Sequence, residues 1–80
     1  MEIVTLTQEM IDDETNSFFG GLAGCKAGDK AVRSDELIPW VDWDLHAPYL
    51  IGREKLESWL EAPDSAAAEM AYKKALTLLS

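Results

Sequence analysis

Few side chains in this 80-residue chain could attack a bond or carry a proton, because it holds one cysteine, Cys25, and one histidine, His46. Nucleophilic catalysis needs the nucleophile held beside its base. Cys25 lies in a glycine-rich stretch and His46 close to Pro48, and nothing in those positions brings them together. A structural zinc site needs several Cys or His ligands, which single copies exclude. Asp12-Asp13-Glu14 and Asp42-x-Asp44 offer hard oxygen ligands, but neither run has the central glycine and closing glutamate of a calcium loop. The stretch Gly24 to Lys30 lacks the Gly-Lys-Ser/Thr ending of a phosphate loop and puts Asp29 where a phosphate would sit. No catalytic residue, metal or cofactor is therefore expected, and the protein does not read as an enzyme.

The remaining chemistry is that of binding. Trp40-Val41-Asp42-Trp43-Asp44 compresses two indoles and two carboxylates into five residues. If the segment is extended, Trp43 turns to the core and Trp40 lies on the other face with Asp42 and Asp44. An exposed tryptophan ringed by charge suits the centre of an interface. The alternative is that both rings fill a small core. Asp35 and Glu36 precede this segment, and Glu9, Asp12 and Asp13 lie on a first helix; these acids with Trp40, Asp42 and Asp44 form the expected partner-binding set.

Fifteen acids against seven bases leave a net charge of −8. Residues 1–44 hold ten acids and three bases, and residues 45–80 five acids and four bases, so the charge belongs to the first half. Such a surface repels nucleic acid and anionic lipid and attracts basic protein surfaces. The expected partner is a larger protein with a basic surface; direct nucleic-acid binding and membrane insertion are not expected. Acids spread over a surface can also imitate a phosphate backbone. By size and charge the chain is similar to the small acidic inhibitors that phages direct at nucleic-acid-binding machinery, the anti-CRISPR and anti-restriction proteins among them.

The expected fold is one small α+β domain spanning residues 1–80, mostly helical, with about three helices and a short ribbon near residues 40–51. The hydrophobic fraction of 48% supports a folded core, which at this size is small enough to leave room for stabilisation as a homodimer. An unpaired cysteine and no apolar leader point to the cytoplasm. Thr5 and Gln8 are spaced as a capping box, predicting a helix over Leu6 to Phe19 closed by Gly20-Gly21. Gly20 to Lys30 reads as a loop. Ser34 to Ile38 allows a short turn before Pro39. Val41, Trp43 and Leu45 alternate as a strand, with a helix from Pro39 as the competing reading, and Tyr49 to Ile51 is a second run that could pair with it. Leu56, Trp59 and Leu60 mark a core-facing helix over Arg53 to Ala62. Asp64 or Ser65 caps a last helix, packed through Met70, Tyr72, Ala75, Leu76 and Leu79, with Lys73 and Lys74 complementing its dipole.

Tyr49 to Glu61, with its Leu56-Glu57-Ser58-Trp59-Leu60 core, resembles the end of excisionase-type winged helix-turn-helix domains, where a wing strand runs into a helix carrying a Leu-Glu-x-Trp-Leu pattern. The resemblance covers about a sixth of the chain. It implies DNA binding or a recombination-accessory role, through a basic helix ahead of the wing. That region here holds Asp35, Glu36, Asp42 and Asp44, with Lys26, Lys30 and Arg33 as its bases. A structural or assembly component of a phage or other complex is the third reading.

Overall fold

A computed structural model describes residues 1–13, 20–39, 42 and 49–80. Within them lie three helices and a three-stranded antiparallel sheet, a small α+β fold. The strands are β1 (Glu2–Thr5), β2 (Lys30–Arg33) and β3 (Ile51–Gly52), in the spatial order β1-β2-β3. The helices are α1 (Gln8–Asp12), α2 (Arg53–Leu60) and α3 (Ala66–Leu79). No helix among the described residues is long and apolar enough to cross a membrane.

The first correction concerns the amino-terminal segment. Thr5 does not cap a helix: it is the last residue of β1, opposite Lys30. The Leu6 N–H donates to the Asp29 carbonyl (2.8 Å) and the Gly28 N–H to the Leu6 carbonyl (2.9 Å), so the ladder holds Leu6 extended. Capping therefore passes to Thr7, whose Oγ1 accepts from the Met10 N–H (3.3 Å). The Gln8 side chain, freed from the capping role, donates to Asp12. Long-range strand pairing has overridden a local signal. The helix is also shorter at its far end, because Asp13 is extended (φ −77°, ψ 111°). Carboxylates at Asp12 and Asp13 with no base in the last turn oppose the helix dipole there. The rest of the predicted helix, residues 14–19, lies outside the described residues, although Gly20 does adopt a left-handed backbone (φ 68°).

The sheet has a core on each face, which follows from its register. Ile3, Val32 and Ile51 are cross-strand neighbours on one face, and Val32 and Ile51 join Leu37, Ile38, Leu56, Ala71 and Ala75 in the cluster beneath α2 and α3. Val4, Ala31 and Gly52 share the other face, where Leu6, Leu22 and Leu50 are buried with Ala31. Two consecutive buried residues in β2, Ala31 and Val32, are the mark of a strand covered on both sides.

The glycine-rich stretch is a loop, yet a packed one: Gly21 and Leu22 are buried. A Cβ on Gly21 would run into the Leu50 carbonyl oxygen, and a Cβ on Gly52 into Cys25 Sγ. Only glycine lets the loop lie directly on β3. Ile51 pairs with Val32 of β2, so β3 does not depend on the expected strand over Val41 to Leu45. Of that segment only Asp42 is described, in neither helix nor strand.

After β2 the chain makes a single turn. The Glu36 N–H donates to Ser34 Oγ and the Leu37 N–H to the Ser34 carbonyl (3.2 Å), delivering Leu37 and Ile38 to the core. Helix α2 ends two residues before the expected Ala62, with Glu61 and Ala62 bonding back in the tighter i to i−3 pattern. Of its apolar stripe Leu56 is fully buried, whereas Trp59 and Leu60 are half-buried. Ser65, rather than Asp64, caps α3 by accepting from the Ala68 N–H. Met70, expected to pack, is 71% exposed. Lys73 and Lys74 lie short of the last turn and pair with Glu69 and Glu36 instead of the helix terminus.

Candidate protein-binding surface

The acids expected to meet a partner fall into two groups. Glu9 and Asp12 on α1, with Asp13 at its end, are exposed. Asp35 and Glu36, in the turn after β2, are exposed as well, and so is Asp42. Because Thr5 faces Lys30 and Glu2 faces Arg33, α1 leaves the β1–β2 ladder at one end and the Asp35 turn at the other. The two groups are not drawn into one pocket. Trp40 and Asp44 lie outside the described residues, as does His46.

Neighbouring bases moderate part of this charge. Glu36 Oε1 lies 3.6 Å from Lys74 Nζ, Glu2 lies 3.8 Å from Arg33, and Glu69 lies 3.1 Å from Lys73. Exposed pairs of this kind contribute only about 0–1 kcal/mol each, but they remove net charge locally. Glu36 is thus a weaker candidate contact than Asp35.

A feature with no counterpart among the expected contacts lies beside α3. An open groove of about 730 Å³ runs between Leu37, Pro39 and the first half of α3, where Ala67, Met70 and Ala71 line it. A smaller one of about 360 Å³ adjoins it, sharing Leu37, Asp64 and Tyr72. Its aromatic wall is Trp59 against Tyr72, ring centroids 5.5 Å apart and tilted by 45°, with Lys55 Nζ 5.8 Å from the Trp59 ring. The i, i+4 spacing of Lys55 and Trp59 is visible in the chain. That Met70 faces outward is not, since it depends on which side of α3 meets the sheet.

Two titratable groups among the described residues are shifted by their surroundings, Cys25 beside the loop-side core and Tyr72 in the groove. Burial, with the Asp29 and Glu54 carboxylates adding to it, raises the Cys25 thiol above its ordinary pKa, which works against forming the thiolate. Burial, followed by the Asp64 carboxylate, raises the Tyr72 hydroxyl in the same way. Among the described residues no group of three or more His, Cys, Asp or Glu could hold a metal ion. The Asp29 carboxylate, where a phosphate loop would hold its ligand, accepts from the Lys26 N–H (3.1 Å). No family model, curated protein or solved structure matches the chain.

Proposed function

We propose that the protein is a non-enzymatic binding module whose acidic surface occupies the basic, nucleic-acid-binding surface of a larger protein, in the manner of a phage-type inhibitor. One observation carries the reading: in a chain of net charge −8, Glu9, Asp12, Asp13, Asp35 and Asp42 are all exposed. The position of Glu9, Asp12 and Asp13 beyond one end of the β1–β2 ladder and of Asp35 beyond the other suits a long basic groove better than a single pocket, because a phosphate backbone also presents its charges in series.

The test is a tagged pull-down from host lysate, with and without nuclease, at low and high salt. A basic nucleic-acid-handling protein should be captured after nuclease treatment and released by salt. Neutralising Glu9, Asp12 and Asp13 to Gln and Asn, or Asp35 and Asp42 to Asn, should weaken capture while leaving circular dichroism unchanged. Unaltered capture by both variants would sink the reading. The run of β3 directly into α2 through Gly52 favours a second reading, the winged-helix one, and retention of DNA itself would support that instead.

A further inference from the structure

The two edges of the sheet are finished differently. At β3, Ile51 is paired with Val32, so in an antiparallel ladder Gly52 turns its backbone away from β2. That outward N–H is satisfied by the chain itself, donating to the Gly21 carbonyl (2.7 Å). The glycine-rich loop closes this edge.

At β1 the Leu6 N–H and carbonyl both point toward β2, bonded to Asp29 and Gly28. Alternation along the strand then points Val4 and Glu2 toward β2 and turns Ile3 and Thr5 outward. Among the described residues neither outward residue has a hydrogen bond beyond the β1–β2 ladder. Two donors and two acceptors therefore line an edge that no other described residue pairs with. The strand, Glu-Ile-Val-Thr, carries none of the proline, lysine or bulge that commonly guard such edges. Ile3 and Val4 are only half-buried, one beside each core, so an added strand would find apolar contacts on both faces.

We propose that β1 is a docking edge for an extended, basic segment of a partner protein, which adds as a fourth strand by bonding to Ile3 and Thr5. The partner's class rests on the protein-binding reading above, and its sign on local charge: residues 1–13 contain Glu2, Glu9, Asp12 and Asp13 and no lysine or arginine. A second copy would bring the same acids together along a four-residue strand, far short of the ~800 Å² per partner of a stable interface. Backbone pairing gives affinity to such additions, and alternate side chains give selectivity.

The test reads amide hydrogen exchange by nuclear magnetic resonance, with a short blocked peptide of alternating lysine and valine as probe. In the dilute free chain the Ile3 and Thr5 amides should exchange freely while that of Val4 is protected. The peptide should slow Ile3 and Thr5 by about tenfold or more, whereas its backbone N-methylated form and a glutamate-valine peptide should not. Thr5→Pro removes one outward donor at a position where an edge strand tolerates proline, so it should keep the fold and lose the peptide. Should that variant fail to fold, the N-methylated peptide decides.

Protection of both amides in the free chain, no response to the lysine peptide, or equal response to its N-methylated form would overturn the proposal. Protection that rises with protein concentration, with a doubled mass in sedimentation, would assign the edge to a second copy and overturn the basic-segment assignment. A lysate partner captured equally by Thr5→Pro would remove the edge as its docking site and leave the acidic-surface reading standing. Capture lost in Thr5→Pro but untouched in the acid-neutralised variants would do the reverse.

Discussion

Gly21 and Gly52 have no side chain, yet they set how closely the loop lies on β3. A methyl group on Gly21 meets a backbone oxygen, that of Leu50, which can move only if the strand moves. On Gly52 it meets Cys25 Sγ, the end of a short side chain. Gly21→Ala should therefore destabilise more than Gly52→Ala, both within the roughly 1–3 kcal/mol typical of overpacking. Combining Gly52→Ala with Cys25→Ala should cost less than the sum of the two, a coupling that urea denaturation of the four species would measure. Additive costs would mean that the thiol does not fill that space. Cys25 also makes a chemical prediction. Its raised pKa leaves less thiolate at a given pH, so iodoacetamide should modify it more slowly than free cysteine, and Glu54→Gln should speed the reaction. The linkage has a definite sign: folding favours the protonated thiol, so the contribution is fully present below the ordinary thiol pKa and is lost as pH rises through the folded value. Stability followed from neutral to alkaline pH should fall in that window, and less so in Cys25→Ala.

At the scale of elements, α2 meets the protein through one residue more than any other. Leu56 is 0% exposed and lies in the cluster with Val32, Ile51 and Ala75, so Leu56→Ala should cost about 2–5 kcal/mol. Trp59, half-buried against Tyr72, should cost less despite its greater size, and chemical denaturation of the two variants would rank them. A larger loss at Trp59 would mean that the aromatic pair, rather than the aliphatic cluster, anchors the helix. The helix starts offer a parallel comparison. Thr7→Ala removes the oxygen that caps α1 and should cost about 1 kcal/mol. Thr5→Ala removes no cap. The order of these two in thermal unfolding checks that the ladder, and not the Thr5 and Gln8 spacing, decides where α1 begins.

For the molecule as a whole, a charge of −8 on 80 residues opposes compaction by self-repulsion. Ion pairs at the surface, such as Glu2–Arg33, Glu69–Lys73 and Glu36–Lys74, are exposed on at least one side and contribute little. Added sodium chloride should therefore raise the melting temperature, since about 0.1 M salt already shortens the Debye length to ~10 Å and screens charges spread over the surface. A fall in melting temperature with salt would show that the favourable pairs outweigh the repulsion.

Much of the local structure was legible in the chain. Helix α2 to within two residues of its end, the presence of α3 with its cap narrowed to Asp64 or Ser65, and the turn after Ser34 follow from short-range rules: apolar spacing, side-chain oxygens before helical runs, and a proline that removes a donor. The excess of acids in the first half needs no structure at all, because charge is additive along the chain. Tertiary structure decided what depends on distant partners. The strands β1 and β2 are four residues each, too short to announce themselves by periodicity, and the backbone they share made Thr5 a strand residue and passed the cap to Thr7. Burial on both faces erased the alternation that would have marked β2. Whether Met70 faces the core or the solvent, whether a glycine loop lies on a strand, and which edge of the sheet stays open are relations between surfaces. They exist only once the chain has folded, because a residue's own type says what it can contact and not what is brought to it.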